Sequence, residues 1–483
     1  MEPTFAALMS DSTTTSMSGP TTPVTGVAYR SDRIRPGDVF FCIPGFAHDG
    51  HDYAIDAVRR GAAAVVAERE IPGLQAPVAI VPSARAALAR AAARVQRFPS
   101  RELDVVGITG TNGKTTSAYI VESILRADGR ATGLIGTVET RIAGERIASA
   151  RTTPESADLQ ELFARMREAQ VSGVAMEVSS HAIDLHRVDA TRFAVVAFTN
   201  LSQDHLDYHH TLAEYWSVKR RLFTEFDVGA RVVNIDDPAG RELARERYDA
   251  ITVGRDENAA IRATGELPGP VSTEFMLAGP WGTERLVLPL AGRYNVENAL
   301  VAAGCATALG IGIDRIVAGL VSAPQVPGRL ERIEEGQAFS VFVDYAHTPD
   351  SLEKAIQAVR AVTAGRVIVV FGCGGDRDPD KRALMGAAAA NCADRIIVTS
   401  DNPRSEDPVG IILQIVDGLR GSSAAYDVEV DRRAAIAAAI AAAQPSDAVL
   451  IAGKGHEDYQ IFSDRTVPFD DREVAREELR VRC

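Results

Sequence analysis

Short runs of buried-type apolar residues alternate with helical stretches along almost the whole chain, and this alternation restricts the fold more than any other property of the sequence. Val39–Ile43 and Ala63–Ala67 read as strands, with a helical pattern from Tyr53 to Arg60 between them. Val105–Ile108, Val174–Val178, Phe193–Thr199 and Arg231–Ile235 form a second set, and Phe339–Tyr345, Arg366–Phe371, Arg395–Thr399 and Ala448–Ala452 a third. Parallel neighbours need a crossover, usually a helix, and that helix covers a face of the sheet. The alternation therefore predicts an α/β protein of parallel sheets with helices on both faces. Ile261–Leu290 departs from it: rich in Gly, Pro and Thr with alternating apolar residues, it predicts an antiparallel excursion at a sheet edge.

With 483 residues the chain is too long for a single core. Ser10–Thr25 is rich in Ser, Thr and Pro, so 1–25 is expected to be a flexible leader. A smaller N-terminal α/β domain is expected over 26–100, closed by an Ala/Arg-rich helix from Ala84 to Arg97 and a Phe98-Pro99-Ser100 linker. A central domain then runs over 101–333 and a third over 334–483. A formal net charge of −13 argues against a nucleic-acid scaffold but leaves room for a local small-anion site. Five scattered cysteines (42, 305, 373, 392 and 483) without a CxxC pair predict reduced thiols in a cytoplasmic protein, with no disulfide framework or zinc site. No apolar run approaches the length of a membrane span, and the first thirty residues lack the pattern of a signal peptide.

The chemistry is expected at the carboxyl ends of the strands, where open α/β sheets bind ligands. Gly107-Ile-Thr-Gly-Thr-Asn-Gly-Lys-Thr-Thr116 follows a strand and opens a helix. Its glycines let successive N–H groups curl around a phosphate, the helix N-terminus adds partial positive charge, Lys114 adds a full one, and a Thr hydroxyl can ligate Mg²⁺. The spacing is not a strict Walker A. A plain Gly-rich turn is the alternative, but strand, Gly-Lys-Thr and helix all coincide here. Met176-Glu177-Val-Ser-Ser-His181 and Thr199…Asp204-His205-Leu-Asp-Tyr-His209 end the next two strands. A carboxylate and an imidazole at adjacent strand ends can hold a divalent cation, although a lone histidine is more often structural.

Gly110-Thr111-Asn112-Gly113-Lys114-Thr115-Thr116 resembles the nucleotide loop of the Mur ligases and of folylpolyglutamate synthase, which join a carboxylate to an amine through an acyl phosphate. The resemblance extends from Val27 to about Asp470 and implies a P-loop-type, mostly parallel central sheet and a Rossmann-like C-terminal domain. It further implies ATP as cosubstrate, Mg²⁺ at Thr115, Glu177 and His205, and a carbamylated Lys219 (N6-carboxylysine) serving a second metal. Read alone, Lys219 is one more exposed lysine beside Arg220 and Arg221. Gly292-Arg-Tyr-Asn295-Val-Glu-Asn298, Pro327-Gly-Arg329 and Val343-Asp344-Tyr345-Ala-His347-Thr-Pro349 are similar to the family's adenine and ribose contacts, hinge and γ-phosphate contacts. Asn295, Asn298, Arg329 and Asp344 carry over, Tyr345 and His347 more weakly.

Three further motifs follow strands: Gly374-Gly-Asp-Arg377-Asp, Asp401-Asn402-Pro403-Arg404 and Gly453-Lys-Gly-His-Glu457. Two guanidinium groups and a carboxylate at one crevice suit a zwitterion; solvated turn charges are the alternative. The Asp-Asn-Pro-Arg tetrad resembles that of diaminopimelate-adding Mur ligases, which implies amino-acid contacts from Arg377, Asp401, Asn402, Pro403, Arg404, Gly453 and Glu457. Arg30-Ser31-Asp32 and Ile43-Pro-Gly-Phe46-Ala47-His48 are similar to the uridine segment, with Asp-Ser-Arg inverted around Ser31. Thr152, Thr153, Ser179 and Arg187 resemble the muramoyl-peptide contacts, with Leu185 where Gln is frequent. The implied substrates are a UDP-muramoyl dipeptide, meso-diaminopimelate and ATP, with no nucleic-acid or membrane partner and a monomeric enzyme. Rivals are a lysine-adding ligase, a folylpolyglutamate-synthase-like ligase, and a non-catalytic P-loop module that would not need Glu177, His205 and Lys219.

Overall fold

The computed structural model describes residues 3–45, 48–147 and 151–482. The chain divides into two compact units, one of Met1–Thr109, Gly129–Ala197 and Ser217–Arg231, the other of Gly110–Asp128, Phe198–Trp216 and Val232–Cys483.

In the first unit, β1 (Ser16–Met17), β2 (Gly26–Ala28), β3 (Asp38–Phe41), β4 (Ala64–Ala67) and β5 (Val78–Ile80) form a sheet in the order β1-β5-β4-β3-β2. It is parallel except for β1. Successive side chains of a strand face opposite sides. Val39, Phe41 and Val66 accordingly join a core with Ala84, Leu88 and Ala91 of the helix Ala84–Val95, while Phe40 and Val65 join Ala54 and Ala57 of the helix Ala54–Arg59. Burial on both faces explains why these strands are continuous apolar runs.

Two expectations need correction here. The leader is not loose: Phe5 and Leu8 are fully buried, Phe5–Leu8 is helical, and β1 pairs antiparallel with β5. A few apolar anchors outweigh the polar composition between them. Phe98-Pro99-Ser100 is not an open linker either, because Ser100 is fully buried and its hydroxyl accepts from the Arg192 N–H at 3.1 Å.

The same unit carries β6 (Asp104–Thr109), β7 (Thr132–Ile135), β8 (Thr140–Ile142), β9 (Glu145–Ile147), β10 (Gly173–Glu177) and β11 (Phe193–Phe198), in the order β11-β6-β10-β7-β8-β9. β6, β10 and β7 are parallel, and β8 and β9 add an antiparallel edge.

In the second unit, β12 (Val228–Asn234) pairs from Val232 onward with β13 (Ile251–Gly254), and β13 pairs with β14 (Ile261–Pro268). β15 (Thr273–Gly279) and β16 (Gly282–Leu288) complete the expected antiparallel excursion. The C-terminal sheet contains β17 (Glu331–Ile333), β18 (Ser340–Asp344), β19 (Val367–Phe371), β20 (Arg395–Val398), β21 (Ala425–Val428) and β22 (Ala448–Ala452), ordered β17-β18-β22-β19-β20-β21. All but β17 run parallel. Register aligns Asp344 with Ala452, Val370 with Ile451 and Phe371 with Val398, so four strands finish level at their carboxyl ends. Val369 and Phe371 pack into one core and Ile368 and Val370 into another, as a doubly covered sheet requires.

Behind those ends lies a fully buried ion pair. Arg432 donates from Nε and Nη2 to the two Asp471 carboxylate oxygens, both at 2.7 Å, and from Nη2 and Nη1 to the carbonyls of Ala452 (2.9 Å) and Ser400 (3.3 Å). Removing one member of such a pair strands a charge, at a penalty of about 3–5 kcal/mol. Asp471→Ala is expected to lower the melting temperature accordingly, and an unchanged melting curve would refute this account. Among the described residues no helix is long and apolar enough to cross a membrane.

Candidate active site

The loop after β6 is shaped by two glycines that cannot carry a side chain. Gly110 (φ +146°) and Gly113 (φ +86°) occupy backbone conformations that L side chains rarely adopt, and a Cβ would lie 1.9 Å from Thr199 Oγ1 at the first and 2.2 Å from Asn298 Oδ1 at the second. Gly113 precedes the helix Lys114–Ala127. Lys114 Nζ donates to the carbonyls of Gly110 (3.0 Å) and Thr111 (2.8 Å), closing the loop on itself. The Asn112 N–H donates to Asn200 Oδ1 at 2.9 Å, and its side-chain amide to Asp350 Oδ2 at 3.0 Å.

A pocket of the second unit brings together Asn112, Gly113, Thr115, Thr116, Asn298, Arg329 and Asp344, all singled out from sequence. Tyr345 and His347 also line it, as do Tyr294 and Lys354, which sequence reasoning missed. Asn295 does not line it: its Oδ1 accepts from Asn298 Nδ2 at 2.9 Å, so it orients the residue that does. Arg329 donates to Thr115 Oγ1 at 3.0 Å and lies 4.6 Å over the Tyr345 ring. Asp344 accepts from the N–H groups of Leu330 (2.6 Å) and Ala346 (2.8 Å), which ties the turn after Arg329 to the end of β18. Burial pushes its carboxyl up against the pull of Arg329 and these two donors.

His205 is the half-exposed member of its histidine cluster, with Nε2 3.4 Å from Asp204 Oδ2. Asp204 also faces His347 at 4.0 Å. Burial opposes ionisation of Asp204, but His205, His347, Lys381 and Lys114 outweigh it and hold the carboxyl below its usual range. His209 is buried 5.2 Å from the Tyr215 ring and His210 is exposed. Among the described residues no three His, Cys, Asp or Glu side chains group closely enough to hold a metal by themselves.

Two expected residues belong to the first unit. Glu177 is 1% exposed, and its carboxylate accepts from the N–H (2.7 Å) and hydroxyl (3.1 Å) of Thr137. Lys219 is also 1% exposed, which overturns its reading as a surface lysine. A lysine this deeply placed is paired, neutral or modified. Thr153 Oγ1 donates to the Glu177 carbonyl at 2.9 Å and accepts from the Ser179 N–H at 3.2 Å. Thr152 lies 3.0 Å from Thr137 Oγ1. Arg187 pairs with Glu155 at 3.0 Å, beside Arg85 and Arg151 on the same carboxylate. In the uridine-like segment, Arg30 and Asp32 pair with each other at 2.7 Å on either side of Ser31, so the inverted order forms an internal ion pair. Phe46 and Ala47 of that segment, like Cys483, lie outside the described residues.

At the level strand ends of the C-terminal sheet the tetrad and its neighbours converge. Asn402 Nδ2 donates to Glu457 Oε2 at 2.8 Å, the Gly453 N–H donates to the Asp344 carbonyl at 3.1 Å, and the Gly375 N–H donates to the Asn402 carbonyl at 2.9 Å. Arg404, at φ +53°, donates from Nη1 to the Gly375 carbonyl at 2.6 Å. Asp401 and Pro403 are buried, and Arg377 is exposed at its own turn. Arg382, which the sequence did not single out, is buried and binds Glu406, Gln414 and the Gly374 carbonyl, fixing the turn that carries Arg377.

Family models match in succession along the chain: a Mur ligase catalytic-domain model over residues 23–96, the Mur ligase middle domain over 108–306 and the Mur ligase glutamate ligase domain over 328–455. The chain belongs to the Mur ligase family, with its three-domain α/β architecture. UDP-N-acetylmuramoyl-L-alanyl-D-glutamate–2,6-diaminopimelate ligase of Streptomyces coelicolor is 47% identical over 95% of this chain and 92% of its own. The enzyme of the same name from Geobacillus thermodenitrificans is 44% identical over 94% of each chain. A solved structure of a ligase of that name aligns over 100% of this chain and 99% of its own, with TM-score 0.71 and 28% identity. MurF ligase from Thermotoga maritima in complex with ADP aligns over 95% and 99%, with TM-score 0.65 and 20% identity.

Proposed function

We propose that this chain is the ATP-dependent, ADP-forming ligase that adds meso-2,6-diaminopimelate to UDP-N-acetylmuramoyl-L-alanyl-D-glutamate, a step of peptidoglycan synthesis and hence of cell-wall growth, cell shape and division. The observation that carries this reading is the convergence of Asn402, Arg404 and Glu457 at the level ends of β19, β20 and β22, in a chain whose relatives bear that name. Diaminopimelate is in effect lysine with a second carboxylate on its far carbon. A guanidinium at the distal end answers that carboxylate, and Glu457 answers an ammonium. A cytoplasmic monomer acting on small molecules fits this role.

The phosphate loop and its pocket suit ATP, with Lys114 at the transferring phosphate and Asn298, Arg329 and Asp344 around the nucleoside. By resemblance to the family, Thr115 and His205 of the second unit and Glu177 of the first are the candidate Mg²⁺ donors, each of a type that suits such an ion. The ion, when bound, neutralises charge on the phosphates. The D-glutamate side-chain carboxylate of the precursor attacks the γ-phosphorus, ADP leaves, and an acyl phosphate forms. Lys114 stabilises the charge on the transferring group. The diaminopimelate amine, in its neutral form, then attacks the acyl carbon, the C–O bond to phosphate breaks, and the nitrogen gives up a proton that leaves with inorganic phosphate, which completes the amide. Thr152, Thr153, Ser179 and Arg187 hold the peptide end of the precursor and Ser31 the uridine end.

Amine-dependent phosphate release with the UDP-muramoyl dipeptide and a panel of amines tests the reading. Release with diaminopimelate well above lysine or glutamate is expected. A lysine preference would favour the lysine-adding ligase, and release with a folate acceptor the folylpolyglutamate-synthase-like one.

The burial of Lys219 suits its conversion to a carbamate, which turns a buried cation into an anionic oxygen ligand. Lys219→Ala is expected to lose about a hundredfold in activity, on the scale of lost metal-site partners. Added short-chain carboxylates should restore part of it, and a fully active variant would refute the carbamate.

A further inference from the structure

Lys454 lies between Gly453 and Glu457, in the amino-acid site just proposed, and no role has yet been given to it. Its side chain is 0% exposed. Nζ donates to Asn402 Oδ1 and to Glu457 Oε2, both at 3.1 Å, and stands 3.8 Å from Asp401 Oδ1. Burying an ammonium is strongly unfavourable unless several acceptors surround it. Here the acceptors come from the loops after β20 and β22.

The network settles the orientation of both partners. Lys454 Nζ and the Ile461 N–H can only donate, so the Asn402 atom facing them is its oxygen, and its Nδ2 turns to Glu457 Oε2 at 2.8 Å. Among the described residues, Asn402 Nδ2 and Lys454 Nζ both donate to Glu457 Oε2. A carboxylate held through one oxygen presents the other in a set direction, and Oε1 is the atom offered to a substrate ammonium. Arg432, whose guanidinium holds the carbonyls of Ser400 and Ala452, steadies the backbone just before Asp401 and Gly453.

We propose that Lys454 is a positioning residue for substrate selection: it holds Glu457 and Asn402 in the arrangement that receives the ammonium of a zwitterionic amino-acid centre. The inference rests on the amino-acid site assigned above. Its electrostatic consequence follows from the groups around Glu457. Burial pushes that carboxyl up, Lys454 opposes the push, and Asp401 adds to it. Arg432 from the helix Arg432–Ala442, Tyr345 after β18 and Tyr459 also face it. Only the ionised carboxylate pairs with an ammonium. Without Lys454 the carboxyl titrates higher, so the acid limb of kcat/KM for the amino acid moves to higher pH.

The test compares Lys454→Met, Lys454→Arg and Glu457→Gln in the full-length enzyme, with meso-diaminopimelate and ATP varied separately across pH. Lys454→Met is expected to raise KM for diaminopimelate roughly ten- to hundredfold, the worth of a charged hydrogen bond. KM for ATP should stay near wild type, and the acid limb should move up in pH. Lys454→Arg keeps the cation but displaces its donors, so its diaminopimelate KM should lie between the two with the acid limb in place. A Lys454→Met enzyme that changes both KM values equally, or neither, overturns the proposal. Should that variant fail to fold, a Lys454→Arg enzyme with a normal diaminopimelate KM overturns it instead. If Glu457→Gln raises that KM and the Lys454 variants do not, only this inference fails. If Glu457→Gln also leaves it unchanged, the amino-acid site itself is wrong.

Discussion

Lys114→Ala is expected to lower phosphate release by roughly a thousandfold, at the upper end of the loss seen when a single preorganised charge-stabilising group is removed. Two effects combine. The ammonium that meets charge developing on the transferring phosphoryl group disappears, and so do the bonds from Nζ to the carbonyls of Gly110 and Thr111 that hold the loop in shape. Lys114→Met loses the same charge and the same two bonds but retains the bulk, so it should be as inactive as alanine, whereas a bulk effect alone would leave it active. Ser31, Thr153 and Arg187, proposed for the precursor, belong to the other compact unit, so affinity for the UDP-precursor should stay near wild type in both variants. Single-turnover phosphate release and equilibrium binding of the precursor measure the two quantities. Equal loss of both would show that the loop and the precursor site are not independent.

Arg404→Ala is expected to collapse the preference for diaminopimelate over lysine. Truncating one partner of a desolvated charge pair is worth about 2–5 kcal/mol, so wild-type discrimination should fall between roughly thirtyfold and several thousandfold. Arg404 Nη1 donates to the Gly375 carbonyl at 2.6 Å, which restrains the guanidinium, and its other N–H groups suit a bidentate carboxylate contact. The variant should weaken diaminopimelate while leaving lysine use nearly unchanged. Arg377, exposed and on a different turn, should affect both amines if it holds the part they share. The measurement is kcat/KM for each amine with wild type and Arg404→Ala. Unchanged selectivity would show that the tetrad does not read the distal carboxylate.

Most of the strands and the phosphate loop were legible because buried parallel strands are apolar on both faces and Gly-rich turns punctuate them. Ala448–Ala452 lies where the sequence places it, and β6, β10, β11 and β19 fall within a residue or two. β21 was not legible: its four residues are exposed, so nothing in their polarity marks a strand. The leader misled because its composition resembles a linker, while Phe5, Leu8 and Val24 bury themselves far along the chain from their partners.

The site divides the same way. The phosphate loop was singled out by its glycines and lysine between strand and helix, and the Asp-Asn-Pro-Arg tetrad and the Gly-Lys-Gly-His-Glu turn by their place at strand ends together with their resemblance to family motifs. Burial and partnership were decided only in three dimensions. Lys219 lies within a basic helix in sequence yet is 1% exposed, and Lys454 reads as a loop lysine yet sits among acceptors from two strand ends. Arg432 finds Asp471 thirty-nine residues away. A side chain's type and its neighbours in sequence are written in the chain, whereas its solvation and the direction of its hydrogen bonds depend on residues that only strand order and register bring beside it.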